Sequence, residues 1–367
     1  MGRYFGKCFL MILLSLVFLA SNGIGADSTL SSVPEPKDLT VPILCYHAVL
    51  PEAKSIYTYT PEQLEADFIF LKEHGYHPIT AVQFIKMEKK AEYFPSKPVV
   101  LSFDDGNKSA YTHVLPLLKK YGFQATFFVF PKDLREESDR YLTWRELSEI
   151  ALSGMDIESH SKSHPFLTIN TKDNPKVYQE WLDQELKGSK DILENRLHRK
   201  VTLLAYPFGW YNSIVETEAI KAGYQGIFTV NWGNNGPNEN LLRFKRRVMV
   251  NSTTPEEFER ILTMRPLEIN IISPTDTSIE RSKPVIKFSL SNPEIKTVEL
   301  AIRRTKVILT ADSDGYFTLS RYHAPKPRGY CMIIVKGYDT AKNLYMGSWG
   351  FDFEPVPEVR PTESPAN

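Results

Sequence analysis

The chain has 367 residues, 44 basic and 44 acidic, so its formal net charge is zero. That balance excludes capture of nucleic acid by phosphate neutralisation, which needs a basic surplus. Hydrophobic residues make up 42% and aromatic ones 12%, enough for packed cores, and the length suits two domains.

Arg3 and Lys7 precede a 13-residue apolar run, "CFLMILLSLVFLA". It is short of the roughly 20 residues that a membrane span needs. The small residues of "SNGIGAD" suit cleavage near Gly25 or Ala26, so residues 1–26 read as an export signal. The mature chain is expected to be secreted, periplasmic or at the cell surface, with no membrane span once the signal is removed. Two cysteines then remain, Cys45 and Cys331, in different predicted domains. Buried free thiols are expected, and no Cys-x-x-Cys pattern offers a thiolate zinc site.

Residues 27–40 are polar and rich in Pro and Ser, a linker. From residue 41 strand-like and helix-like stretches alternate. "VPILCYHAV" reads as a strand, and a helix follows with Thr60 as N-cap, Pro61 in its first turn and Leu64, Phe68 and Leu71 on one face. "PVVLSF", "ATFFVF", "MDIES", "VTLLAYP", "GIFTV" and "FKRRVMV" read as further strands. Helices are predicted at 108–122, where Pro116 should disturb the pattern, at 143–154, from 175 to about 197, at 213–223 and at 254–262. Strands separated by helices imply parallel pairing, in a closed or nearly closed β/α barrel or in an open doubly wound sheet. After about residue 266 the pattern becomes short β-type runs broken by turn residues, which fits an immunoglobulin-like sandwich over 266–355. The Pro-rich tail, 356–367, reads as disordered.

In either α/β architecture catalytic groups belong at the C-terminal ends of strands. There "SFDDG" places Asp104 beside Asp105. Two adjacent ionised carboxylates repel, so a positive partner is needed or their jobs differ. "DIESHSKSH" puts His160 and His164 four residues apart, a spacing at which they can face each other across one helical turn. Two imidazoles and one carboxylate make a catalytic metal site with positions left for water and substrate, one aspartate ligating and the other free as a base.

"SFDDG", "HSKSH" and "AYPFG" together resemble the motifs of the polysaccharide deacetylase family, the nodulation-B-homology group also called carbohydrate esterase family four. The resemblance covers roughly residues 41–265 and implies a distorted (β/α)7-type barrel that hydrolyses N-acetyl groups of glycans with a divalent metal. It implies Asp105, His160 and His164 as metal ligands and Asp104 as the general base. Zinc suits two nitrogens and one oxygen; cobalt, nickel or iron are the alternatives. Family members usually carry the acid histidine in a late Leu-x-His motif, which is absent between residues 245 and 265. His47 in "ILCYHAV" instead resembles the subgroup acting on biofilm poly-N-acetylglucosamine, where a first-strand "YH" supplies the acid. The family's third motif begins with an arginine that orients the base. Ala205 stands there, so Arg246 or Arg247 is expected to substitute. Pro207 and Gly209 shape the loop, and the Tyr206 N–H is the implied oxyanion donor. Trp210, Tyr211 and Trp232 are candidate walls for sugar rings.

The expected partner is a polysaccharide containing N-acetylglucosamine, with the β-domain free to bind glycan or protein. The competing readings are a peptidoglycan or chitin-oligosaccharide deacetylase, a phosphohydrolase, and a catalytically silent carbohydrate-binding protein.

Overall fold

The computed structural model describes residues 39–90, 94–168, 174–237, 239–275, 278–279, 285–319 and 329–353. The expected signal, nearly all of the linker and the tail lie outside the described residues.

The longest strand of the first sheet, β3 (Pro98–Asp104), is buried at every position, as a parallel strand covered on both faces must be. Around it lie β1 (Ile43–Tyr46), β2 (His77–Ile79), β4 (Thr126–Val129), β5 (Asp156–Ser159), β6 (Leu203–Ala205), β7 (Gly226–Phe228) and β8 (Arg247–Val248). The order is β7-β6-β5-β4-β3-β1-β8 with β2 also on β3, and every pair is parallel. One segment curls the sheet. Phe244 bridges Phe228 of β7, and three residues later Arg247 and Val248 pair with Leu44 and Cys45 of β1. Both edges are thus held by the same short stretch of chain.

Side-chain alternation then sorts the strands. Ile43, Val100, Phe128, Leu203, Ala205, Phe228 and Phe244 share one apolar cluster, whereas Leu44, Leu101, Phe103 and Phe127 belong to a second cluster with the surrounding helices. Ser102 and Asp104 follow the parity of Val100, and Cys45 and His47 follow that of Ile43. The fold therefore aims these polar groups together at the strands' C-terminal ends.

The helices are α1 (Pro61–Glu73), α2 (Ala81–Lys90), α3 (Leu115–Tyr121), α4 (Trp144–Leu152), α5 (Pro175–Leu197), α6 (Ser213–Lys221) and α7 (Pro255–Thr263). Thr60 and Thr143 each form a reciprocal capping box, with Gln63 and Glu146. Leu64, Phe68 and Leu71 are the buried face of α1. Pro116 does not break its helix: it sits in the first turn of α3, after a widened turn over Ala110–Val114. The sequence reading passed over β2 and α2, whose Phe84 and Ile85 join the cluster of Val100 and Leu203.

Beyond α7 the chain enters two sheets through β9 (Arg265–Pro266). Strands β10 (Ile269–Ser273), β12 (Ile286–Leu290) and β15 (Tyr316–Leu319) form one sheet. Strands β11 (Ser278–Ile279), β13 (Thr297–Ile302), β14 (Thr305–Thr310), β16 (Gly329–Tyr338) and β17 (Leu344–Phe353) form the other with β9. They share a core in which Phe288 of β12 stacks on Phe317 and meets Trp349 of β17 edge-on. Cys45 and Cys331 are both buried and form no disulfide with each other. Among the described residues no helix is long and apolar enough to cross a membrane.

Candidate active site

Asp104 ends β3 and is buried. Its charge is answered by Arg246, which is also fully buried and donates from both terminal nitrogens to the two carboxylate oxygens at 2.8 Å each. The guanidinium is fixed in turn by its Nε–H donating to the Thr229 carbonyl at 2.9 Å. Arg246 lies between Phe244 and Arg247, so the segment that closes the sheet delivers it. Burial opposes ionisation of Asp104, but Arg246 and then His160 outweigh it and hold the carboxyl well below the usual carboxylate range. The Cys45 thiol donates to the same carboxylate at 3.3 Å, and burial pushes that thiol up, away from the thiolate. Arg247 points elsewhere: it pairs with Glu257 at 2.7 Å and lies over the Trp232 ring at 3.9 Å.

Asp105 leaves the strand with φ +75° and shares only His160 with Asp104, whose Oδ2 also lies 3.7 Å from His160 Nε2. Its Oδ1 lies 3.7 Å from His160 Nε2 and 3.5 Å from His164 Nε2. The histidines meet on an irregular loop, not across a helical turn as their spacing suggested; Ser161 and His164 both take left-handed backbone, at φ +63° and +58°. Their ring centroids are 4.6 Å apart. Helix α5 braces this loop. Glu185 accepts from the Ser163 N–H and hydroxyl at 2.9 and 2.7 Å, and Ser189 donates to the Ser161 carbonyl.

The donor set fits a divalent cation. His160 donates Nδ1–H to the Ala205 carbonyl at 2.8 Å, which leaves Nε2 its lone pair facing Asp105. Burial pushes the His160 imidazole down to about 4, so it is neutral at pH 7, the form that ligates. Cys45, His47 and Asp104 also cluster within ligand range, but the Arg246 guanidinium already occupies both Asp104 oxygens. Charge therefore favours Asp105, His160 and His164 as the cation's place. His47 sits one residue beyond β1, its Nδ1 buried and without a hydrogen-bond partner, its ring 5.6 Å from that of Tyr57.

The "AYPFG" turn corrects one expectation. The Tyr206 N–H donates to the Phe228 carbonyl and is spent in the sheet. The N–H groups of Gly209 and Trp210 close the turn itself, whereas that of Phe208 takes part in none of these bonds. Phe208 holds φ +59°, and Gly209 holds φ +73° where a Cβ would lie 2.3 Å from Val230 Cγ2. Pro207 is buried beneath them.

The three predicted sugar walls separate. Tyr211 is fully buried, and its hydroxyl accepts from Asn231 and from the Gly350 N–H, so it has no surface to offer a sugar. Trp232 lines a different cleft with α7 and the C-terminal sheet. Trp210 remains near the site, 4.5 Å from the Phe166 ring, which itself stacks on Phe208. Sequence reasoning missed Phe166, Phe208 and Glu185. The signals were present as aromatics inside the "HSKSHPF" and "YPFGW" motifs and as an acid in a long helix, but only the fold shows what they face.

An Asp–His–His cluster beside a clamped carboxylate, at the C-terminal ends of a curled parallel sheet, is a hydrolase-type site, and similarity to known proteins makes the class a polysaccharide N-deacetylase. The family model for polysaccharide deacetylase matches residues 91–227. YxkH of Bacillus subtilis (strain 168), which is named as a polysaccharide deacetylase, is 31% identical over 204 residues, 55% of this chain and 69% of its own length. The poly-beta-1,6-N-acetyl-D-glucosamine N-deacetylase of Staphylococcus aureus (strain MRSA252) is 28% identical over 177 residues, 46% of this chain and 61% of that enzyme. Among solved structures, Streptococcus pyogenes deacetylase PplD in complex with acetate superposes with a TM-score of 0.56 at 26% identity, covering 61% of this chain and 99% of that one. The chain belongs to the polysaccharide deacetylase family.

Proposed function

We propose that the protein removes N-acetyl groups from a polymer containing N-acetylglucosamine, outside the cytoplasm. Asp104 is the base, His47 the acid, and Asp105, His160 and His164 hold a divalent cation, zinc first. The observation that carries this is the division of labour between the two aspartates. Asp104 is neutralised by Arg246 and Asp105 faces the imidazoles of His160 and His164. A cation bound there would supply Lewis-acid chemistry, acidifying a water toward a pKa of about 7 and polarising the acetyl carbonyl.

Asp104 stays ionised across the working range, so it is always ready to accept the attacking water's proton. Arg246 keeps both its oxygens in a fixed plane while that proton moves. We assign the oxyanion donor to the Phe208 N–H in place of that of Tyr206, because it is left over when the turn closes. The amide nitrogen must be protonated before it departs, since an amide anion is a very poor leaving group. His47, also at a strand end and beside Asp104, is placed to give that proton. The apolar run at residues 8–20 supports export, and the staphylococcal relative's name makes poly-β-1,6-N-acetylglucosamine the first substrate to try.

The test is acetate release from that polymer. It should vanish after chelation and return on re-addition of zinc or cobalt. Asp104→Asn should lower turnover by about a thousandfold or more while metal content is kept; loss of metal in this variant would mean that the two aspartates have exchanged roles.

A further inference from the structure

The sequence singled out Arg247 and Trp232 for the active site, and the structure places neither there. They meet in a cleft of about 280 Å³ walled on one side by β8 and α7 and on the other by β13, β14, β16 and β17. The Arg247 guanidinium lies over the Trp232 ring, 3.9 Å from its centre. One of its terminal nitrogens donates to Glu257 at 2.7 Å, whereas its Nε is buried with no hydrogen-bond partner among the described residues. A buried donor left unpaired has lost its water for nothing in return, and such a group asks for an acceptor.

The charge of the cleft is out of balance. Among the described residues that line it are two arginines and two lysines but only two carboxylates. Each carboxylate is shared between two cations. Glu257 takes Arg247 at 2.7 Å and Arg260 at 3.7 Å, and Glu299 takes Lys336 at 3.0 Å and Lys306 at 3.4 Å. Half of the positive charge is therefore unanswered. The cations come from both parts of the chain: Arg247 and Arg260 from β8 and α7, Lys306 and Lys336 from β14 and β16. Burial outweighs the help of Glu257, and Arg260 adds to it, so the Arg247 guanidinium falls below its ordinary pKa. A concave wall backed by apolar protein concentrates such a field.

We propose that this cleft is an anion site that takes a phosphoryl group, free or as the head of a small ester, and so ties the barrel to the C-terminal sheet. Guanidinium forks match the geometry of phosphate oxygens, and the lysines add point charges from the facing wall. The Arg247 Nε–H gains the acceptor that it lacks. The rest of the lining includes Ile261, Met264, Ala301 and Ile334, an apolar surface on which the organic part of an ester can rest.

Binding is measured by calorimetry on the metal-loaded full chain, freed of excess metal, with inorganic phosphate and glycerol 3-phosphate as probes and acetate as the control anion. Both phosphates should bind, and the tighter of the two identifies the source; acetate should bind at least about tenfold more weakly. Arg260→Gln and Lys336→Gln should each weaken phosphate about threefold, and the pair about tenfold. Glu299→Gln should tighten it about threefold, because Lys306 and Lys336 lose a competing carboxylate. A variant that merely loosened the fold would not bind more tightly. Phosphate should raise the Tm of the unaltered chain and not that of the double variant. Arg260 is exposed at the rim of the cleft, so its variant folds and keeps the test decisive. Binding untouched by all three substitutions would put phosphate on the catalytic cation or at adventitious places and overturn the proposal. No binding at millimolar phosphate, or acetate binding as tightly, does the same.

Discussion

Arg246 grips both oxygens of Asp104 from a stretch of chain far from the third motif. The third motif has Ala205 where the family's arginine stands, and that alanine's carbonyl holds His160 instead. Sequence alone offered Arg246 or Arg247 as the replacement, and neighbours on a strand point to opposite faces, so only one of the two could turn inward. Which face was inward depended on the register of β8 on β1. Arg246→Lys should cut turnover at least tenfold, since one ammonium cannot hold both oxygens of Asp104 in plane; near-normal kcat would remove the clamp from the mechanism. Glu185 is a second such residue, one that touches no reacting atom. Glu185→Ala should weaken metal affinity about tenfold by releasing the loop of His160 and His164, and equilibrium dialysis against a chelator reads that loss directly.

At the scale of elements, strands and capped helices were legible because their signals are local. Thr60, Thr143 and Pro175 mark helix starts, and each apolar run ends where chemistry begins. Thr143→Ala should lower unfolding free energy by ~1 kcal/mol through loss of its cap, measured by urea denaturation. Gly209→Ala should cost more, because it meets both the left-handed backbone and the Val230 contact. What was not legible depended on tertiary contact. Helix α2 went unseen although its buried face fills the sheet's inner cluster. The histidine pair suggested a helical turn and instead lies on a loop whose shape is imposed by Glu185 and Ser189 of α5. Tyr211 read as a surface aromatic but is covered by the C-terminal sheet, a contact that no motif announces.

For the whole molecule, one buried carboxyl sets a pH dependence apart from catalysis. Asp67 in α1 accepts the Tyr46 hydroxyl at 2.9 Å, and burial pushes its carboxyl up to about 7 against the help of Tyr46 and Tyr59. The ordinary value in an unfolded chain is about 3.9. The folded state therefore keeps a proton that the unfolded state releases. Its stabilising contribution is complete below about pH 4 and is lost as pH rises through about 7, with a slope of at most about 1.4 kcal/mol per pH unit. Asp67→Asn should flatten that decline in thermal melts; an unchanged slope would place the linkage elsewhere.

The segment that seals the first sheet also carries the cation that neutralises its innermost anion, and the two partners are 142 positions apart in the chain. Without that late stretch the folded sheet would bury the Asp104 carboxylate with no guanidinium to answer it, so seating the last parallel strand and charging the pocket are one event.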